Sequence, residues 1–234
     1  MLRSALIFFL ALIGCSLSGC WQGVSRNVMA TVLSGDGEVD SGAEGQNGFR
    51  AIRPGTKLRL GNVVRTPNDA KLNIALLPGA LVQLSSNSEI KIQALQISKD
   101  GNETGDAMLN RNARIRLNRG QIAVLLTRRG EAPSELQVTT QEAVIAADSD
   151  CLFGMEINGM KTRVISVRGK IYASPPNGPR QAVDAGFFQE WPSSSSTAVS
   201  AADEPLAEIE TMKALEAEGQ LIQSESASRK GRPF

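Results

Sequence analysis

The chain has 234 residues, 41% of them hydrophobic and 21% charged, enough for one large or two small domains of ordinary globular composition. Lysine and arginine total 25 against 24 acids, and a net charge of +1 gives no electrostatic reason to expect nucleic acid as a partner. Histidine is absent, which excludes a Ser-His-Asp site and removes the commonest general base and a favoured zinc ligand.

The chain opens MLRSALIFFLALIGCSLSGC. After Arg3 the apolar run 5–13 is too short for a membrane span, which needs about 20 residues, but suits the apolar region of a secretory signal, about 7–15. Leu17-Ser18-Gly19-Cys20 resembles a bacterial lipobox. This predicts a signal peptide over 1–19 and a diacylglycerol on Cys20, with an acyl chain such as palmitate on the new amino terminus. Cys15, after Leu12-Ile13-Gly14, is the alternative site, with an unusually short signal. Trp21, where inner-membrane retention would call for Asp, points to the outer membrane, facing the periplasm.

A lipidated tether over 20–27 leads into a body, 28–191, of short segments with alternating polarity. Strands are predicted at 29–33, 57–64, on either side of Pro78-Gly79, and at 89–97. In the hairpin, Leu72, Ile74, Val82 and Leu84 are expected to bury one face, and Lys71, Asn73 and Gln83 lie between them. Ala75, Leu77 and Leu81 blur the alternation near the turn. Residues 99–112 read as a polar loop, followed by strands at 114–117 and 121–127 joined across Asn118-Arg119-Gly120. Segments 135–139 and 143–147 are extended again. Cys151, Phe153, Met155 and Ile157 then share one strand face, and Asn158-Gly159 signals a type I′ hairpin. On the return strand Met160, Thr162 and Val164 give way to Ile165 and Val167, a parity switch that predicts a bulge. Strands at 170–173 and 182–187 close the body.

Ser193 to Ser196 mark a linker over 192–202, and Asp203 can cap an amphipathic helix over 203–223. Its apolar stripe is Leu206, Ile209, Met212 and Leu215, whose spacing of three drifts around a helix of 3.6 residues per turn. Residues 224–234 read as a disordered tail. The fold class is therefore all-β, a compact antiparallel roll, sandwich or solenoid-like arrangement of short strands, with a C-terminal helix.

The residue inventory offers little chemistry. Asp148 and Asp150 are a candidate carboxylate pair, read as a solvated turn. Cys151 falls on the apolar parity of its strand and reads as a buried structural thiol. Gly35-Asp36-Gly37-Glu38 with Asp40 lacks the ligand spacing of a calcium loop. No catalytic, cofactor-binding or metal site is expected. Arg114, Arg116 and Arg119, with Arg128 and Arg129 nearby, form a basic stripe opposite Ile115 and Leu117, a possible partner surface for anionic headgroups or an acidic protein.

The order of segments resembles the FecR domain. The resemblance runs through Pro54-Gly55-Thr56-Lys57-Leu58 and Leu60-Gly61-Asn62-Val63-Val64-Arg65-Thr66. It continues through the hairpin around Pro78-Gly79 and Asn87-Ser88-Glu89-Ile90, the Gly120 element, Leu136-Gln137-Val138-Thr139-Thr140, and TRVISVRGKI at 162–171. Asp150-Cys151-Leu152-Phe153 keeps the family's Phe but lacks its Gly-Thr. The resemblance implies a non-enzymatic envelope module over 28–191 that binds a protein or glycan, or senses an outer-membrane partner. A direct anti-sigma role is not expected, because a domain lipid-anchored outside the inner membrane cannot touch a cytoplasmic sigma factor. The expected partners are the membrane, through the lipid on Cys20, and an envelope protein or glycan.

Overall fold

The computed structural model describes residues 24–45, 48–99, 108–128, 132–176, 178–192 and 197–230. The signal segment, Cys15, Cys20, Arg129 and the serine run at 193–196 lie outside the described residues.

The described chain is mostly strand with one C-terminal helix. In order come β1 (Val24–Asn27), β2 (Ala30–Asp36), β3 (Asp40–Ala43), β4 (Arg50–Ala51), β5 (Lys57–Leu58) and β6 (Asn62–Arg65). Next are β7 (Lys71–Leu77), β8 (Ala80–Leu84), β9 (Glu89–Lys99), β10 (Met108–Leu126), β11 (Ser134–Thr139) and β12 (Val144–Ala147). Then follow β13 (Cys151–Asn158), β14 (Lys161–Arg168), β15 (Lys170–Ser174), β16 (Gln181–Asp184), β17 (Phe187–Trp191), β18 (Val199–Ser200) and α1 (Pro205–Lys230).

These strands build two sheets sharing β10. The first runs β16-β15-β12-β11-β10-β9, with β6 and β1 along the far edge of β9 and β3 and β4 beyond β6. Its β10–β11 pair is parallel; the others are antiparallel. The second runs β5-β2-β7-β8-β10-β13-β14-β17-β18. The two inner faces enclose one core, with Ile90, Ile92, Ile115, Leu117, Val138 and Ile145 from the first sheet against Ile74, Val82, Leu84, Val124, Phe153 and Val164 from the second. This is a sandwich.

β10 changes sheets at Gly120, whose φ is +82°. A Cβ there would lie 2.6 Å from the Cα of Ser88, so only glycine fits. Ser88 Oγ and the backbone of Gln121 exchange hydrogen bonds of 2.9 Å and fix the bend. The two strands expected at 114–117 and 121–127 are thus one strand. The loop expected over 99–112 is narrower too: β9 runs to Lys99 and β10 begins at Met108. The strand expected at 57–64 is broken in two by a turn, where Arg59 N–H donates to Asn62 Oδ1 at 2.7 Å. Residues 24–27 of the expected tether form β1.

Helix α1 lies across the outside of the second sheet. Its buried residues are Ala207, Glu210, Ala214, Ala217 and Leu221. Their spacing of three and four residues keeps them on one face, as the spacing-three stripe cannot. The expected stripe is therefore not the docking face: Leu206, Ile209, Met212 and Leu215 are exposed, Met212 by 66%. The helix also continues past 223 to Lys230, so the expected disordered tail is helical over most of its length. Beneath it Leu81, Leu125 and Leu152 meet Leu221, Ala123 meets Ala214 and Ala217, and Ile165 meets Ala207. Gly154 permits this approach, since a Cβ there would sit 3.2 Å from Ile165 Cγ2 and 3.8 Å from Ala214 Cβ.

Both faces of the second sheet are therefore covered. Ala75 and Leu81 blur the alternation because they face the helix on strands buried on both sides, whereas Leu77 joins Leu76 in the inner core at a register irregularity between Ala75 and Leu77. Asn73 and Gln83, polar and outward, are buried under the helix. Gln83 Nε2 donates to Gln220 Oε1 at 2.8 Å and to Asn73 Oδ1 at 2.9 Å, and Asn73 Nδ2 donates to Ser224 Oγ at 3.0 Å. Ile165 is buried by the helix side, not by a parity switch, and the register irregularity lies beside Val167, across from Leu152 and Phe153. The hairpin loop is Gly159-Met160, one residue later than Asn-Gly, because Asn158 pairs with Lys161. Only Gly159 of the two has positive φ, so the turn is not type I′.

Candidate functional site

Among the described residues no helix covers the outer face of the first sheet. It holds an open groove of about 700 Å³ lined by Leu60, Lys91, Gln93, Arg114, Gln137, Thr139 and Val144. The register explains the grouping. In β10 and β11, and in β9 as far as Ile92, alternate residues turn inward, so their intervening polar side chains point outward; a register irregularity in β9 leaves Gln93 as an extra residue between Ile92 and Ala94. Lys91 stands opposite Arg116, which stands beside Thr139, which faces Val144. The next row sets Ala94, Arg114, Gln137 and Ala146 side by side.

Hydrogen bonds order this face. Gln137 Nε2 donates to Glu135 Oε1 at 2.6 Å, which leaves Gln137 Oε1 to accept from Arg114 Nε at 3.0 Å. Thr139 Oγ1 donates to Gln93 Oε1 at 3.0 Å. Lys91 Nζ pairs with Glu44. Among the described residues no carboxylate lies within 4.0 Å of the guanidinium of Arg114 or Arg116.

Of the three arginines singled out in the sequence, the structure brings two together. Arg119 sits at the bend, 4.0 Å from Glu89 Oε2, whose carboxylate also accepts from Arg65 Nε at 2.7 Å and Asn118 Nδ2 at 2.8 Å. Burial pushes the Glu89 carboxyl up, but these donors outweigh it and hold it below the usual value. Arg128 lies beyond the far end of β10, its backbone N–H donating to Asp150 Oδ1. Lys91, Gln93, Gln137 and Thr139 were missed as site residues. Their outward parity is readable in EIKIQ and ELQVT, but their neighbours depend on strand pairing across as many as 46 residues of separation.

A second, mixed-charge cleft of about 430 Å³ lies between α1 and the second sheet, lined by Glu156, Lys161, Arg163, Glu190, Leu206, Ile209, Glu210 and Lys213. Arg163 bonds Glu190 Oε2 at 2.8 Å and Glu210 Oε1 at 3.3 Å, and Lys161 bonds Glu190 Oε1 at 2.7 Å. Burial, then a hydrogen bond shared with Glu156, pushes the Glu210 carboxyl up to about 7 against the opposing pull of Arg163. The cations all have partners within the protein, so the cleft reads as a docking contact for the helix.

The other sequence candidates lie apart from the groove. Asp148 and Asp150 are exposed in the turn between β12 and β13. Cys151 is fully buried in the core, and burial pushes its thiol up to about 12, far from a reactive thiolate at neutral pH. Among the described residues no group of His, Cys, Asp or Glu could hold a metal ion, and no helix is long and apolar enough to cross a membrane.

Residues 62–172, just under half of the chain, match the model of the family described as FecR protein. The match runs from the first residue of β6 into β15 and contains every groove residue except Leu60 and Gly61. No curated protein matches the chain. Two crystal structures of a candidate anti-sigma factor from Parabacteroides distasonis ATCC 8503 are similar at 13% identity, with TM-scores of 0.41 and 0.40. Each match covers 58% of this chain and 57% of the other.

Proposed function

The chain carries a FecR domain over residues 62–172, and from that premise we propose that it is a non-catalytic, lipid-anchored envelope protein whose first sheet binds a protein or glycan partner. The observation that supports this most is the Lys91–Arg116 juxtaposition. Like charges directly across two strands are destabilising, typically by a few tenths of a kcal/mol to about 1 kcal/mol. Here only Lys91 has a carboxylate beside it among the described residues. A sheet face with two exposed guanidinium groups, that of Arg114 held through its Nε, and no covering element among the described residues suits recognition better than stability. The lipobox-like Leu17-Ser18-Gly19-Cys20 supports an anchor on Cys20, outside the described residues, and a position on the outer membrane facing the periplasm.

Two experiments test this. Radiolabelled fatty acid should enter the wild-type chain and not Cys20→Ala; label persisting in that variant moves the site to Cys15 or removes the anchor. Pull-down from detergent-solubilised envelope should retain a partner that Arg114→Gln weakens. The FecR domain also favours a second reading, a component that senses an outer-membrane partner and relays through another protein. A transporter or transmembrane regulator among the captured proteins would select it.

A further inference from the structure

The chemistry of the groove narrows the partner. Arg114 is held by its Nε alone, through Gln137, whose amide is in turn fixed on Glu135. Among the described residues nothing accepts from its Nη1 or Nη2. A guanidinium tied at Nε with both terminal nitrogens open presents a two-pronged donor, the geometry that takes a carboxylate bidentately. Gln93 is held by its carbonyl oxygen, which leaves its amide nitrogen to donate. Arg116 stands two residues from Arg114 on the same face. The open valences here are mainly those of donors.

Arg114 and Arg116 are separated along β10 by two residues, about 6.8 Å at the strand rise. Side chains at alternate positions of an extended peptide repeat at the same distance. Among the described residues no aromatic side chain lines the groove to stack on a sugar ring. Resting on the binding-module reading above, we propose that the groove and the outward face of β10 beside it take an extended peptide segment of an envelope protein with carboxylates at alternate residues, Arg114 in the groove lining forking onto one and Arg116, two residues further along β10 and just outside that lining, meeting the next.

The test uses the purified full chain in detergent with two fluorescent probe peptides of the same composition. In one, three glutamates alternate with threonines; in the other, the glutamates are contiguous. The alternating peptide should bind at least threefold more tightly. Arg114→Lys should lose nearly as much affinity as Arg114→Gln, because an ammonium cannot replace the fork. Arg116→Thr should weaken binding at least threefold while leaving the melting temperature unchanged or raised, since it removes the like-charge pair with Lys91. Arg128→Gln, an exposed cation away from the groove, should bind as the wild type does. Several outcomes overturn the proposal: no binding at millimolar peptide, equal affinity for both peptides, equal loss in Arg128→Gln, or tighter binding of oligogalacturonate. An envelope partner whose capture ignores Arg114→Gln would overturn this groove assignment and leave the binding-module reading standing. Absence of any captured partner together with no peptide binding removes both.

Discussion

The two sheets of this sandwich share a core and a strand, yet their outer faces differ. That of the second sheet is largely apolar and covered: Leu81, Leu125, Leu152 and Ile165 are buried beneath α1, beside Asn73 and Gln83 hydrogen-bonded to its Ser224 and Gln220. That of the first sheet is polar, ordered by hydrogen bonds, and open. The difference teaches where recognition is available. An apolar outer face must be covered, and the chain covers it with its own C-terminal helix, which lies outside the segment matching the FecR family. A polar face with unneutralised cations needs no cover and, on the function proposed above, is the face that would meet a partner.

The largest test of that contrast is a charge placed on each face. Leu152→Asp buries an unpaired carboxylate between sheet and helix and should destabilise by about 4 kcal/mol or more in denaturant unfolding. Ala146→Asp, outward on the first sheet, should stay within about 1 kcal/mol. Equal losses would abolish the distinction. Next, Leu221→Ala removes the leucine that joins α1 to Leu81, Leu125 and Leu152. It should cost about 2–5 kcal/mol, seen as lost hydrogen-exchange protection in α1 and β7, with β11 and β12 unchanged.

The third test uses pH. The Glu210 carboxyl is raised to about 7 when docked, above its ordinary value of 4.5. The docked state therefore holds the proton more tightly than the undocked one. Helix docking gains fully below pH 4.5 and loses that gain as pH rises through 7. Glu156, Lys161, Arg163, Glu190 and Lys213 face the same cleft, and Glu190 is held below its ordinary value by Lys161 and Arg163 despite its burial, so it remains ionised through this window. Protection of α1 should be stronger at pH 5.5 than at pH 8 in the wild type and nearly flat in Glu210→Gln. The smallest effect belongs to the exposed stripe: Met212→Gln should change stability by no more than about 0.5 kcal/mol. A larger loss would show that this side of α1 also packs.

The same contrast explains what the sequence revealed. Strands of the first sheet were legible because one face is wet: Ile90 and Ile92, Ile115 and Leu117, and Leu136 and Val138 alternate with polar neighbours. Strands of the second sheet misled wherever the helix buries them. Ile165 looked like a parity switch because its burial comes from α1, 42 residues or more along the chain from it at Ala207. The helix itself was placed, but its face was not. Leu206, Ile209, Met212 and Leu215 stand out by size, whereas the docking residues are mostly alanines chosen for close approach to Gly154 and Ala123. The continuity of β10 through Gly120 rests on a contact with Ser88, which no local pattern contains. Of the basic stripe, Arg114 and Arg116 could be placed on one face by parity; Arg119 could not be separated from them without knowing that Glu89 lies beside it.

The most direct measurement is site-specific photo-crosslinking in the intact envelope, with benzoylphenylalanine at Gln93 on the first sheet and, separately, at Met212 on the exposed side of α1. Adducts with an envelope component should form from position 93 and be lost when Arg114→Gln is added, while position 212 gives none. Adducts from position 212 with none from position 93 would contradict the assignment of the open sheet face as the binding surface.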